Sequence, residues 1–228
     1  MRVPVPATRR SFCTAAAAAS LLSATSPWPG GSQWIAPAFA QAPSVDDLMQ
    51  AGPFGDQWQG SPDAPITMIE YASVTCPHCA DFAVNVYPAL KARYIDTGKV
   101  RYVLREFPFD RLAAAGFMLS RCAGSDKYFD LVEVLFEKQR DWVVEQPLEP
   151  LLAIARQAGF SQQSFEQCLA NQNVLDGIDW VRKRAVEKFA VDATPTFFIN
   201  GTRHRGEIMR EALDATLTPY LDSGKASR

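Results

Sequence analysis

Residues 73–79 read Ser73-Val74-Thr75-Cys76-Pro77-His78-Cys79 and stand where one periodicity gives way to another. Upstream, Pro65-Ile66-Thr67-Met68-Ile69-Glu70-Tyr71 is apolar and β-branched, the composition of a strand. Downstream, Phe82, Val86, Leu90 and Tyr94 recur every four residues, one face of a helix. Pro77 suits the first helical position, where no N–H is needed. Pro88, inside the pattern, predicts a kink. This places Cys76 at a helix N-terminus and Cys79 one turn inside, close enough for a disulfide. Unpaired N–H groups and the helix dipole favour a thiolate at that end. Such settings bring a thiol pKa from about 8.5 to roughly 3.5–7.5, and each unit is worth about 1.4 kcal/mol. A stabilised thiolate stabilises the dithiol, so the disulfide becomes a stronger oxidant. His78 adds a dipole or a charge beside Cys76, and Cys79 is expected to be the deeper, resolving thiol.

A Cys-x-x-Cys pair has two other readings. As half of a zinc site it needs two more ligands. Beyond the first forty residues only His78, His204, Cys122 and Cys168 could supply them, and no second close pair exists. No metal is therefore expected. As an inert structural disulfide it has no reason to sit between a strand and a helix.

Working outward, Val100-Arg101-Tyr102-Val103-Leu104-Arg105 reads as a second strand, closed by Pro108. Helical patterns follow over 111–123, 125–140, 147–158, 161–171 and 173–189, separated by Gly124, Pro147, Gly159 and Asn171-Gln172-Asn173. Thr196-Phe197-Phe198-Ile199 is a strand that runs into Asn200-Gly201, a hairpin turn signal. A last amphipathic helix is expected over 207–221. Residues 41–62 are Gly/Pro-rich without a period and read as a lead-in loop. A strand–helix–strand unit implies a parallel pair with a crossover. The chain is therefore α/β, with a helical insertion over 111–189 between the halves 63–110 and 190–224 of one sheet domain.

The N-terminus reads as a targeting segment. Arg9 and Arg10 precede a largely apolar run over 14–24, and Ala38-Phe39-Ala40 precedes Gln41. A basic start, a short apolar core and an A-x-A site make a secretory signal peptide over 1–40. The run is shorter than the ~18 apolar residues of a membrane span. Thr8-Arg9-Arg10-Ser11-Phe12 also suits a twin-arginine signal, the alternative being a Sec signal with two adjacent arginines. Cys13 precedes the apolar run rather than ending it, which is not a lipoprotein arrangement. The first forty residues hold three of the 23 basic residues and none of the 25 acidic ones. The remainder therefore sits near −5, which argues against nucleic acid as a partner. Export leaves Cys76, Cys79, Cys122 and Cys168, an even number in an oxidising compartment. Cys122 and Cys168 both have apolar neighbours in predicted helices. They are expected to form a second, structural disulfide that fastens the helical insertion, the alternative being two separate buried thiols.

Glu70-Tyr71-Ala72-Ser73-Val74-Thr75-Cys76-Pro77-His78-Cys79 resembles the active-site region of the DsbA family, whose oxidases use Cys-Pro-His-Cys. Ala193-Thr194-Pro195-Thr196-Phe197-Phe198-Ile199-Asn200-Gly201 is similar to the family's cis-proline strand. The likeness covers nearly all of 62–221. It implies a thioredoxin-like fold with an inserted α-helical domain, and Cys76 as the attacking cysteine that forms the mixed disulfide. It implies a cis Thr194–Pro195 bond facing the cysteines, which frees the Thr194 backbone to pair with an extended substrate. On its own a proline at a strand start is an ordinary trans residue. The resemblance further implies that Glu70 is a buried acid beneath the cysteines that helps move protons. Arg105, on the neighbouring strand, is its expected charge partner; the alternative is a solvated strand-end acid.

The expected function is that of an exported, periplasmic thiol–disulfide oxidase without a cofactor. It would donate the Cys76–Cys79 disulfide to unfolded or reduced exported proteins and be reoxidised by a quinone-linked membrane partner. Two alternatives stay open. One is a reductase or isomerase of the same fold, since Thr194 before the proline occurs in those relatives too. The other is a non-catalytic thioredoxin-fold binding module.

Overall fold

The run after Pro65 forms the strand that carries the site, in a computed structural model that describes residues 44–226. The signal segment expected over 1–40 lies outside the described residues. A short helix α1 (Val45–Met49) and a strand β1 (Gln57–Gln59) come first, followed by β2 (Ile66–Ala72). Helix α2 (Pro77–Asp81) continues through a π turn (Phe82–Val86) into α3 (Tyr87–Leu90) and a second π turn (Lys91–Ile95). β3 (Val100–Glu106) completes the strand–helix–strand unit. The helices α4 (Arg111–Cys122), α5 (Tyr128–Glu137), α6 (Gln139–Trp142), α7 (Leu148–Gln157), α8 (Gln162–Leu169) and α9 (Gln172–Phe189) follow. The chain then forms β4 (Thr196–Ile199), β5 (Thr202–Arg205), a 3₁₀ turn (Arg210–Ala212) and α10 (Leu213–Ala226).

Three local expectations are corrected. The lead-in loop over 41–62 holds two elements. Ser44 caps α1 by accepting from the Asp47 N–H, and β1 exists through its antiparallel pairing with β3, some 45 residues on. The helix expected over 207–221 starts at Leu213, because Met209 is extended (φ −71°, ψ 151°) and a 3₁₀ turn over Arg210–Ala212 follows it. Where a kink is expected at Pro88, the helix instead carries a π turn on either side of that residue. A proline offers no N–H, and the Tyr87 and Asp96 N–H groups bond to the Phe82 and Lys91 carbonyls, five residues back.

The sheet order is β1-β3-β2-β4-β5, with β2 and β3 parallel and the other pairs antiparallel. Asn200 (φ 46°) and Gly201 (φ 88°) make the β4–β5 turn, the backbone region that an Asn-Gly pair tolerates. Side chains alternate across the pleat. Ile66, Met68 and Ala72 of β2, with Val100, Tyr102 and Leu104 of β3, share a core with Cys79, Phe82 and Leu90. Ile69, Tyr71, Val103 and Phe198 face the other way, under Leu48 of α1 and Val181, Ala185 and Phe189 of α9.

The helices between β3 and β4 are joined to the sheet by buried polar contacts. Glu106, at the end of β3, is fully buried. It accepts from the Arg121 guanidinium of α4 at 2.5 and 3.0 Å and from the Tyr128 hydroxyl of α5 at 2.9 Å. Gly116 of α4 lies against Val74, and a Cβ there would meet Val74 Cγ2 at 2.9 Å. Cys122, closing α4, is disulfide-bonded to Cys168 in α8, with Cα atoms 6.2 Å apart.

That bridge spans a sequence separation of 46 residues. Chain entropy for a loop of that length amounts to about 4 kcal/mol, an upper figure because residual structure lowers it. The double variant Cys122→Ala/Cys168→Ala is expected to lose up to that amount in denaturant unfolding. Unchanged stability would sink the fastening role.

Candidate active site

Cys76 is the N-cap of α2, in extended backbone (φ −80°, ψ 122°), with Pro77 at the first helical position. No side chain caps this helix. Cys76 is 9% exposed and Cys79 wholly buried; both are free thiols. Their acidities are driven apart. A hydrogen bond from the Cys79 thiol, assisted by Thr194 and by the N–H groups of Cys79 and His78, outweighs burial and brings Cys76 down from 9.0 to about 5. Burial pushes Cys79 well above 9.0, and the neighbouring Cys76 and Glu70 add to the rise. One turn of helix thus holds an acidic, reachable thiol and a hidden, reluctant one.

The Thr194–Pro195 bond is cis. The Cys76 thiol donates to the Thr194 carbonyl at 3.5 Å, so the loop before β4 lies directly against Cys76. His78 points outward, 68% exposed, and its ring contacts Glu207 from the segment after β5.

Glu70 is 1% exposed on the α2 side of β2. Burial, with a contribution from the charge of Cys76, raises its carboxyl from 4.5 to about 8, and the hydrogen bond from Tyr102 works against that rise. Its partner is Tyr102, whose hydroxyl donates to Oε2 at 2.5 Å. The expectation that Arg105 pairs with Glu70 is corrected. The β2–β3 register sets Glu70 opposite Leu104 and Tyr71 opposite Arg105. Arg105 therefore projects through the other face. There it donates to both Asp56 oxygens at 2.9 and 2.8 Å and to the Tyr71 hydroxyl at 2.8 Å. Tyr102 was legible in principle, since it shares parity with Val100 and Leu104; Asp56 carried no local signal. Glu207 was hidden inside the helix expected over 207–221.

The structure thus brings Cys76, Cys79, Pro77, His78, Glu70, Thr194 and Pro195 into one place and sets Cys122 and Cys168 apart in the helices. Among the described residues no group of three or more His, Cys, Asp or Glu could hold a metal ion.

The sequence pattern of the Thioredoxin family matches residues 54–218. A relative from Rickettsia bellii, whose name proposes a protein-disulfide oxidoreductase, is 34% identical over 154 residues, covering 65% of this chain and 58% of that protein. A similarly named Rickettsia conorii relative is 32% identical and covers 75% and 63%. The crystal structure of Wolbachia pipientis α-DsbA1 superposes with a TM-score of 0.74 at 32% identity, over 81% of this chain and 99% of that one. The chain belongs to the DsbA family of thiol–disulfide oxidoreductases. BdbD from Bacillus subtilis shares the DsbA-like fold at 21% identity, with a TM-score of 0.67 over 79% and 96% of the two chains. The chain spans less than two thirds of the length of the first curated relatives it matches. The family resemblance and the thioredoxin-like α/β fold read from the sequence both hold.

Two outcomes follow from the shifted acidities. In the reduced protein, alkylation of Cys76 is expected to show a pH midpoint near 5, while Cys79 stays unmodified; a midpoint near 9 would remove Cys76 as an acidic thiol. Glu70 has its pKa raised on folding. Its stabilising share is complete below 4.5 and is lost as pH rises through about 8. Glu70→Gln should therefore match the parent protein in stability at acidic pH and exceed it by several kcal/mol at pH 9, in denaturant titrations of the reduced form. Equal stability at both pH values would show that Glu70 is solvated.

Proposed function

We propose that this chain is an exported oxidase of protein thiols that donates the Cys76–Cys79 disulfide to unfolded or reduced secreted and periplasmic proteins. The observation that carries the reading is the Cys76 thiol, brought to about 5 at the start of α2. A thiolate this stable favours the dithiol and makes the disulfide oxidising.

The reaction balances as two sulfur exchanges. A substrate thiolate attacks Cys76 Sγ, the side the solvent reaches. The Cys76–Cys79 bond breaks and its electron pair leaves on Cys79. Glu70, largely protonated at neutral pH, gives its proton to the buried Cys79 thiolate. A second substrate thiolate then attacks the substrate sulfur of the mixed disulfide and expels Cys76 as a stable thiolate. The substrate loses two electrons and the Cys76–Cys79 pair gains them. A quinone-linked membrane partner takes those electrons in turn.

Thr194, beside the cis Pro195, lends its backbone to an extended substrate, and Pro77 and His78 shape the rim. The sheet halves 63–110 and 190–224 carry the chemistry, and the helices over 111–189 form an insertion between them. The segment 1–40 is the export signal. No helix among the described residues is long and apolar enough to cross a membrane.

Equilibration with glutathione tests the direction of flow. An oxidase should have a reduction potential of about −120 mV, whereas about −180 mV would favour an isomerase and about −270 mV a reductase. Cys79→Ala should trap a mixed disulfide with substrate through Cys76, whereas Cys76→Ala should trap none. If both variants, or neither, accumulate the adduct, the roles assigned to the two thiols are wrong.

A further inference from the structure

The loop that carries the nucleophile is held from two directions by the helices between β3 and β4. Within the loop, the Cys76 N–H donates to the Ser73 carbonyl at 3.0 Å. From one side, the Thr75 hydroxyl donates to Asp110 Oδ2 at 2.8 Å, and the other oxygen of Asp110 caps α4 by accepting from the Ala113 N–H at 2.7 Å. From the other side comes Gln139, the first residue of α6, which is 9% exposed. Its Nε2 donates to the Val74 carbonyl at 2.9 Å and to the Cys76 carbonyl at 3.0 Å. An amide nitrogen has two hydrogens, so both are engaged by this loop. The Cys76 carbonyl also accepts the first backbone bond of the helix, from the Ala80 N–H at 3.1 Å. α6 itself is fixed without the loop, because Trp142 Nε1 donates to the Leu135 carbonyl of α5 at 2.8 Å.

We propose that Gln139 is a positioning residue for the thiol chemistry: its amide pins the Val74 and Cys76 carbonyls and so holds Cys76 Sγ against Thr194 and over the first N–H groups of α2. The proposal rests on the reading of Cys76 as the reactive thiol and goes one step beyond it. Gln139 carries no charge and bonds to carbonyl oxygens, not to sulfur. Its influence therefore passes through the position of the backbone. Sγ is one bond from Cβ, so a small turn of the Cys76 peptide moves it off donors whose strength falls steeply with angle. Glutamine meets the requirement for a specific reason. It is neutral, it offers two hydrogens from one atom, and it is long enough to reach two carbonyls that point the same way. Methionine has the same length and no donor. Asparagine keeps both hydrogens but is one methylene shorter.

The test is the pH midpoint of Cys76 alkylation in the full chain, with the Cys122–Cys168 bridge intact and the Cys76–Cys79 pair reduced. Gln139→Met should raise the midpoint by about one unit, which is a roughly tenfold slower reaction at pH values below it. Trp142→Phe removes the neighbouring bond of the same short helix and leaves the Gln139 amide in place. It should lower unfolding stability without moving the midpoint. Gln139→Asn should give a smaller rise, and it carries the test if the methionine variant does not fold. A parent midpoint near 5 with unshifted Gln139 variants overturns the positioning role and leaves the reading of Cys76 standing. An equal shift in Trp142→Phe also overturns it, because general loosening then explains both. A parent midpoint near 9 removes the reading of Cys76 and the proposal with it.

Discussion

The parallel register of β2 on β3 decides what lies beneath the two cysteines. Side chains alternate across a pleat, so the pairing of Glu70 with Leu104 and of Tyr71 with Arg105 sends one ionisable system through each face of the sheet. The α2 face receives Glu70, whose hydrogen-bond partner is the Tyr102 hydroxyl. The α9 face receives Arg105, satisfied by Asp56 and Tyr71. A slip of one residue would exchange these faces for the whole strand. A guanidinium beneath the cysteines would hold Glu70 ionised, and an ionised Glu70 has no proton to give. The raised carboxyl is therefore a consequence of strand register as much as of burial.

The same region makes two chemically identical side chains unequal. Cys76 sits where the helix leaves its N–H groups unpaired, and its thiolate collects hydrogen bonds. Cys79, three residues on, has turned into the core that Phe82 and Leu90 also occupy. Its ionisation would place a charge in apolar surroundings beside Glu70, and so its thiol rises. The hydrogen bond between the two thiols stabilises one anion at the expense of the other, so the acidities are properties of the pair. The asymmetry leaves Cys76 the acidic thiol of the pair and Cys79 the one that burial keeps protonated.

The helices between β3 and β4 do more than cover the sheet. Glu106, Arg121 and Tyr128 form a buried cluster whose loss of any one member would strand a charge or a donor. Gly116 allows α4 to lie against Val74, Asp110 holds Thr75, and Gln139 holds the carbonyls on either side of Thr75. The loop that carries Cys76 is thus shaped by two of these helices, α4 and α6, as well as by its own strand and helix.

Short-range preferences are written along the chain itself. The β-branched run before Ser73, the four-residue period after Pro77 and the Asn200-Gly201 turn each state a local backbone conformation, and each appears where it was read. The placing of Cys76 at a helix start follows from these, and with it the direction of its acidity. Tertiary structure alone decided the pairings. β1 is three residues that become a strand only because β3 offers them an edge. Residues 207–209 stay outside any helix or strand before α10 begins, and Glu207 among them reaches His78. Arg105 chose Asp56 over Glu70, and Gln139 came to lie beneath a loop more than sixty residues before it. A dihedral preference is a property of neighbouring residues. A cross-strand partner is set by register and packing across the whole sheet, which no local period records.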